Sequence, residues 1–199
     1  MKKIILIILV LFVFVNTHAT HIMGGEITWE CIKDPTNPDV GKYIFKMKVY
    51  RDCDGTTLST FAQTIDVWDG GVNPISNISL DYVSSTDISP PGDALNSGNA
   101  CLDCNTNPVG AVEEYLYESQ PVALPGIPPA TGWFFTWDSC CRNGAISNLV
   151  ILTPANPSEG FTLRASMFPF TDANGNILPA DPCYDNSPKF NESPKTIIC

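Results

Sequence analysis

Two neighbouring segments that alternate apolar and polar residues constrain the fold more than any other feature of this sequence. They read "GEITWEC" (25–31) and "KYIFKMKVYRDC" (42–53), and the stretch between them is rich in Pro, Asn, Asp and Gly. Such a stretch favours a turn or loop. An antiparallel hairpin that sets Trp29 opposite Phe45, with Cys31 at the loop end, matches the apolar faces of the two strands.

Six further segments have the β-branched and aromatic content of strands, and turn-forming residues separate them. In the first of these segments Phe61 shares a face with Ile65 and Val67. Many short strands of this kind predict an all-β fold, a disulfide-stapled antiparallel β-sandwich (Ig-like) with about eight strands and long loops. The six segments cover residues 61–68, 77–83, 111–118, 132–138, 145–152 and 160–168.

Residues 1–19 have the pattern of a secretory signal peptide. Lys2 and Lys3 precede an uninterrupted apolar run over 4–15, and Ala19 offers a small residue for cleavage. The run is shorter than the ~20 residues that span a bilayer, although an uncleaved membrane anchor is the alternative. The pattern predicts a secreted or cell-surface protein, with residues 20–182 as its β-sandwich domain.

The charge balance excludes two classes of partner. The chain has 11 basic and 21 acidic residues and a net charge of −10. Cleavage after Ala19 removes two lysines and no acid, so nine basic residues remain against 21 acidic ones and the charge becomes −12. Nucleic acids and anionic membranes are bound by clustered Lys and Arg. We therefore expect no nucleic-acid partner and no membrane contact beyond the signal peptide.

All eight cysteines follow the apolar run, and an even number of cysteines in an exported chain predicts a disulfide framework. Spacing alone leaves 105 pairings open. Cys31 and Cys53 should not pair, because the hairpin strand between them holds them roughly 30 Å apart. The cysteines are Cys31, Cys53, Cys101, Cys104, Cys140, Cys141, Cys183 and Cys199.

The adjacent Cys140 and Cys141 should not bond each other. Their α-carbons are about 3.8 Å apart across a trans peptide, which is closer than ordinary disulfides allow. On a strand end their side chains point to opposite sides, so they would staple two different elements. One consistent set pairs one of them with Cys101 or Cys104 and leaves the remaining two for the cysteines of the hairpin.

The sequence gives little support for a metal or catalytic centre. The motif "CLDC" (101–104) is followed by no helix pattern of the kind that a redox site needs, and His21 is the only histidine after the signal peptide. A zinc site would need a second C-x-x-C unit or suitably spaced histidines, and one histidine so near the start of the mature chain is poorly placed for a nucleophilic triad. We expect no cofactor and no catalytic residue. Two loops hint at calcium but are also explained by Asp-Gly and Asn-Gly turns; the candidate ligands are Asp52, Asp54, Asp172 and Asn174.

The segment "GWFFTW" places Trp133 and Trp137 on one face of a strand. These rings either pack in the core, which is the commoner fate, or form a platform for a ligand such as a sugar ring. A carbohydrate-active enzyme with two carboxylates beside this strand, or a calcium-dependent carbohydrate-binding module, is the alternative function. Glu113 and Glu114 do not form such a carboxylate pair, because neighbours on a strand point to opposite faces.

Several segments in this order resemble the N-terminal module of large exported surface proteins of Bacteroidetes, which are gliding-motility-associated or adhesin-like. The segments are "HIMGGEITWEC", "YIFKMKVYRDC", "CCRNGAISNL" and "NSPKFNESPKTIIC". The resemblance implies a non-enzymatic extracellular module for adhesion, display or gliding. It also implies further domains of the same chain and a surface ligand, either a glycan or a protein. Residues 183–199 would then begin a following segment that is truncated here, with a Cys183–Cys199 bridge at a true C-terminus as the alternative.

The motif positions that carry the resemblance have residue types that suggest structural roles. Gly24 and Gly25 permit a bend or bulge before the first strand. Arg51 and Arg142 each stand beside a cysteine at a strand end, where we expect them to pair with carboxylates or loop carbonyls. Asn143 forms a turn with the glycine that follows it. The positions are Gly24, Gly25, Glu26, Tyr50, Arg51, Asp52, Cys53, Cys140, Cys141, Arg142 and Asn143.

Overall fold

The computed structural model describes residues 22–89, 102–139 and 160–187. These residues form seven strands that pair antiparallel, which confirms the predicted all-β class. The remaining predicted strand, 145–152, lies outside the described residues. The strands are β1 (Ile22–Cys31), β2 (Tyr43–Asp52), β3 (Gln63–Trp68), β4 (Ser76–Asp87), β5 (Val112–Glu118), β6 (Trp133–Ser139) and β7 (Phe161–Met167).

The β1–β2 hairpin has the register that the sequence predicts. Trp29 lies opposite Phe45, and Cys31 lies opposite Tyr43 at the loop end. Burial alternates strictly along β2 between buried and half-buried residues. The alternation fixes the register, because a slip of one residue would turn every apolar side chain of the strand toward the wrong face.

The seven strands form one continuous sheet in the order β1-β2-β5-β4-β3-β6-β7. One layer of the sandwich contains β1, β2 and β5, the other contains β3, β6 and β7, and β4 belongs to both. Its first half, through Leu80, pairs with β3, and its second half, from Asp81, pairs with β5. The ladder to β5 is irregular between Tyr82 and Ser84. Strands β1 and β7, at the two ends of the order, are in contact, so the folded sheet is nearly closed.

Aromatic side chains from both layers fill the space between them. The ring centroid of Phe135 lies 4.8 Å from that of Phe45 and 5.3 Å from that of Trp29. All three residues are buried. Tilted contacts at these distances are the preferred arrangement of aromatic pairs and add to the free energy gained by burying the rings.

The prediction that Phe61 shares the buried face of β3 is wrong. Phe61 is 82% exposed, whereas Ile65 and Val67 are fully buried. The strand begins only at Gln63, because a local turn precedes it: the Phe61 amide donates to the Ser59 hydroxyl at 3.1 Å. Serine side chains compete with strand pairing in this way.

Residues 183–187, which were predicted to belong to a following segment, pack against the outer edge of β1. The Ser187 amide donates to the Trp29 carbonyl at 3.1 Å, and the Trp29 amide donates to the Ser187 hydroxyl at 2.8 Å. The Cys31 amide donates to Asn186 Oδ1 at 2.6 Å. This segment therefore satisfies backbone groups that an open sheet edge would leave unpaired.

Candidate functional site

Two disulfides bind the ends of the hairpin to other parts of the domain. Cys31 is bonded to Cys183 with α-carbons 6.2 Å apart, and Cys53 is bonded to Cys104 with α-carbons 5.0 Å apart. The prediction that Cys31 and Cys53 do not pair is confirmed. The hairpin cysteine Cys53 takes its partner from the "CLDC" loop, within the expected set.

The partner of Cys31 was not in the expected set. Cys183 follows Cys31 by 152 residues, and it reaches the loop end of β1 because the C-terminal segment runs along that strand. The alternative bridge from Cys183 to Cys199 is thereby excluded. The other four cysteines lie outside the described residues, and so do Arg142 and Asn143. These cysteines are Cys101, Cys140, Cys141 and Cys199.

Arg51 has the structural role that its position predicts. Its guanidinium lies 2.6 Å from a carboxylate oxygen of Glu113 on β5, and both side chains are largely buried. The same group donates to the carbonyls of Asp52, Cys53 and Gly55, at 3.0, 3.3 and 2.9 Å. The guanidinium thus holds the turn that carries Cys53 against the sheet, using its donors on fixed acceptors.

The two glycines of the first motif lie inside β1, at a bulge between Ile22 and Gly24. A β-carbon on Gly25 would lie 2.5 Å from the Lys48 carbonyl oxygen and 2.8 Å from a methyl carbon of Leu163 on β7. Only glycine permits this approach of β1 to both neighbours. The predicted bulge is therefore confirmed, but within the strand rather than before it.

The outer face of β1, β2 and β5 carries a polar network that includes the motif residue Glu26. Lys48 lies between Glu114, at 3.1 Å, and Glu26, at 3.8 Å. The Tyr50 hydroxyl donates to Glu26 at 3.4 Å. Burial raises the pKa of Tyr50 to about 12, and the charges of Glu26 and Glu114 add to the effect. Glu114 points away from Glu113, which faces Arg51, as their adjacency on a strand predicts.

The candidate calcium loops use their carboxylates within the loops themselves. Asp52 accepts the Asp54 amide at 3.0 Å. Asp172 accepts the amides of Asn174 and Asn176, both at 2.8 Å. Bonds from the Asn176 side chain and backbone lower the pKa of Asp172. In the part of the chain that the structure describes, no three His, Cys, Asp or Glu side chains group as metal ligands would.

The candidate ligand platform is part of the core. Trp133 is 2% exposed and Trp137 is 9% exposed. The Trp137 indole donates to Gln63 Oε1 at 3.2 Å, and Trp133 packs edge-on against Tyr184. Neither ring is available as a stacking surface for a ligand, so the candidate platform at Trp133 and Trp137 is wrong and the core interpretation holds.

A different aromatic surface lies on the opposite face of the same strand. It is a groove of about 360 Å³ across β3, β6 and β7, and we call it the outer groove. Trp68 lies opposite Phe134 in the β3–β6 ladder, and Thr136 lies opposite Arg164 in the β6–β7 ladder. The groove is lined by Trp68, Gly70, Gly71, Phe134, Thr136, Thr162 and Arg164.

Two side chains of the outer groove are held in place by their neighbours. The Trp68 indole donates to Thr136 Oγ1 at 2.8 Å, which fixes the plane of the ring. The guanidinium carbon of Arg164 lies 4.0 Å from the Phe134 ring centroid, a close cation–π contact. Thr162 donates to Asp138 at the end of the groove. The groove therefore presents a fixed aromatic ring, a stacked cation and hydroxyl groups.

The outer groove was not predicted from the sequence, because a ligand was expected on the face of β6 that carries Trp133 and Trp137. A signal was present: Trp68 and Phe134 occupy outward positions of their strands, where polar residues are the rule for a half-buried sheet. The pairing of β3 with β6 could not be predicted, because the two strands lie far apart in the sequence. Only the fold brings Trp68 and Phe134 together.

The fold and the two bridges define the chain as a disulfide-stapled all-β sandwich domain. Comparison with protein-family models, curated proteins and solved structures finds nothing that matches it. No helix among the described residues has the length and apolar character needed to cross a membrane.

Proposed function

We propose that this chain is a non-enzymatic extracellular module of a bacterial cell-surface protein that serves adhesion or display. The observation that carries the proposal is the pair of bridges at opposite ends of the β1–β2 hairpin, Cys31–Cys183 and Cys53–Cys104. Structural disulfides persist in oxidising compartments and are rare in the cytosol. The apolar run after Lys2 and Lys3 supplies the export signal that such a compartment requires.

The motif residues support the Bacteroidetes surface-protein kinship that the sequence suggests. Their side chains have structural uses here: Arg51 ties a turn to the sheet, and Gly25 allows two strands to approach. A module whose recognisable residues maintain its shape fits a display role, in which the ligand-binding surface varies independently of the frame.

The proposal is tested by producing the full chain in a Bacteroidetes host and adding protease to intact cells. We expect the protein to be cleaved by the added protease, to begin at Thr20 and to lack free thiols at Cys31 and Cys183. A Leu9→Arg variant, with a charge inside the apolar run, should stay inside the cells. Recovery of the unaltered chain from the cytoplasm with reduced thiols would overturn the proposal.

A further inference from the structure

We propose that the outer groove binds a carboxylated sugar, such as a uronic acid unit of a glycan. This inference rests on the proposed function in one respect, since it names the ligand class of a surface adhesion module. Three properties of the groove support it: the fixed ring of Trp68, the stacked guanidinium of Arg164, and the hydroxyl groups of Thr136 and Thr162.

The floor of the groove suits a sugar ring. Trp68 is half-buried, and its bond to Thr136 fixes the indole before any ligand arrives. A pyranose ring has an apolar C–H face that packs on an aromatic surface, while its hydroxyls project sideways toward polar groups. Gly70 and Gly71 border the ring without side chains, so the approach stays open.

Arg164 supplies the charge preference. Four other basic side chains of the described residues are in salt bridges, but within that part of the chain no carboxylate lies within 4.0 Å of Arg164. The contact with Phe134 holds the guanidinium carbon over the ring at 4.0 Å from its centroid. A planar guanidinium binds a carboxylate through two parallel hydrogen bonds. Because the stack has already ordered the side chain, little rotamer entropy is lost on binding.

The surroundings favour a sugar over a peptide or a nucleic acid. Strand β6, in the middle of the groove, is paired on both sides, with β3 and with β7, so at this strand the groove offers a ligand side chains rather than a strand edge for peptide addition. The chain has a net charge of −10, which repels a polyanion such as nucleic acid. A short acidic sugar meets less of this repulsion, because charges beyond about 8 Å are screened at physiological salt.

The carboxylates near the groove limit where the ligand's charge can lie. Asp66 is opposite Thr136 on β3, and Asp138 is opposite Thr162 on β7. Asp138 accepts the Thr162 hydroxyl. A bound carboxylate is therefore directed to the Arg164 guanidinium over the Phe134 ring, which orients the sugar in the groove.

The test measures binding of a galacturonic acid trisaccharide, with a neutral galactose trisaccharide as the matched ligand. Binding is followed by calorimetry and by tryptophan fluorescence, since Trp68 is the only half-buried tryptophan among the four in the sequence and the other three are buried. We expect the acidic sugar to bind at least ~10-fold more tightly than the neutral one, as a charged hydrogen-bonded pair predicts. No binding of either sugar overturns the proposal, and equal binding of both overturns the assignment of a carboxylate.

Variants locate the site. Arg164→Gln should remove the preference for the acidic sugar, and Arg164→Lys should restore only part of it, because a lysine keeps the charge and loses the planar fork. Trp68→Ala should abolish binding of the sugar and the fluorescence change. Lys33→Gln, at a distant surface position, is the control and should bind as the unaltered chain does. Denaturant unfolding of each variant separates lost binding from lost folding. Unchanged binding by a folded Arg164→Gln protein would overturn the proposal.

Failure of this inference and failure of the proposed function are distinguishable. The Arg164→Gln chain should still be cleaved by protease added to intact cells, because export does not involve the groove. If the chain is exposed at the cell surface but binds neither sugar, only the glycan inference is overturned. Release of reducing ends from polygalacturonate by the purified chain would instead support a carbohydrate-active enzyme and contradict the non-enzymatic function.

Discussion

Arg51 and Glu113 form an ion pair at 2.6 Å between β2 and β5, on the inner side of the sheet, whereas the described ion pairs of Lys46 and Lys48 lie on its outer face. The arginine is 6% exposed. Its guanidinium also contacts the ring face of Tyr115, at 5.8 Å from the centroid. One side chain thus joins two strands and the turn that carries Cys53.

Arg51→Leu should lower the free energy of unfolding by about 3–5 kcal/mol. The change leaves the Glu113 carboxylate without its counter-ion in a largely buried place, and breaking one partner of a buried pair costs this much. Denaturant unfolding measures the loss. Lys46→Gln is the control, because it breaks the exposed pair with Glu118 and should cost less than about 1 kcal/mol. Equal losses in the two variants would contradict the role of Arg51.

Gly25→Ala and Gly24→Ala should differ sharply although they are neighbours. A β-carbon at Gly25 meets the Lys48 carbonyl oxygen at 2.5 Å, whereas one at Gly24 has only Tyr50 within 4 Å, at 3.7 Å. We expect a loss of about 1–3 kcal/mol or more at Gly25 from overpacking and little change at Gly24. Thermal and denaturant unfolding of both proteins test this, and similar stabilities would refute the close approach of β1 and β2.

Removal of either bridge should destabilise the domain. Removal of the bridge that closes the longer loop should lower the free energy of unfolding more. Cys31–Cys183 closes a separation of 152 residues, and Cys53–Cys104 closes 51. The loop-entropy relation gives about 5 kcal/mol for the first and about 4 kcal/mol for the second. Paired Cys→Ser substitutions, compared by denaturant unfolding, measure both. If the variant with both Cys31 and Cys183 replaced is as stable as the unaltered chain, the Cys31–Cys183 bridge is contradicted.

Acid should weaken the loop that carries Cys104. Burial by itself raises the pKa of Asp87, but hydrogen bonds from Ser89 and from the Cys104 amide outweigh it, so the pKa lies below the ordinary 3.8. A lowered pKa in the folded state contributes stability above pH 3.8, and this contribution is lost as the pH falls through the folded pKa.

The acid effect is measured as the free energy of unfolding from neutral pH to about pH 2. Asp87→Asn should flatten the part of the curve below the ordinary pKa of aspartate, because the asparagine does not titrate. Asp81→Asn, on the exposed face of the same strand, is the matched control. If the two variants follow the same curve, the hydrogen bonds to Asp87 do not stabilise the loop.

The parts of the fold that the sequence predicts are those encoded by local alternation. The pairing of Trp29 with Phe45 follows from two adjacent segments and the turn between them, and the role of Arg51 follows from its place beside a strand-end cysteine. The prediction for Phe61 was wrong because a serine two residues earlier forms a turn, which the spacing of apolar residues does not reveal. At this position a side-chain hydrogen bond to the backbone overrides the alternation of apolar residues.

The parts that sequence could not supply depend on strands far apart in the chain. Cys183 reaches Cys31 only because its segment runs along the β1 edge, and no spacing rule predicts that path. The outer groove needs β3 beside β6, which places Trp68 opposite Phe134. The alternation that buried Trp133 and Trp137 also put Phe134 outside, but its partners are set by sheet order, which periodicity does not determine.

The Cys31–Cys183 bridge has a mechanical consequence. Tension applied between residues 22 and 187 passes along β1 to Cys31, crosses the bridge and leaves through Cys183, so the chain between the two cysteines is not extended. The bridged separation is 152 residues, or roughly 500 Å of extended chain at about 3.3 Å per residue. A tether held under load would lengthen by that amount only after the bridge is reduced.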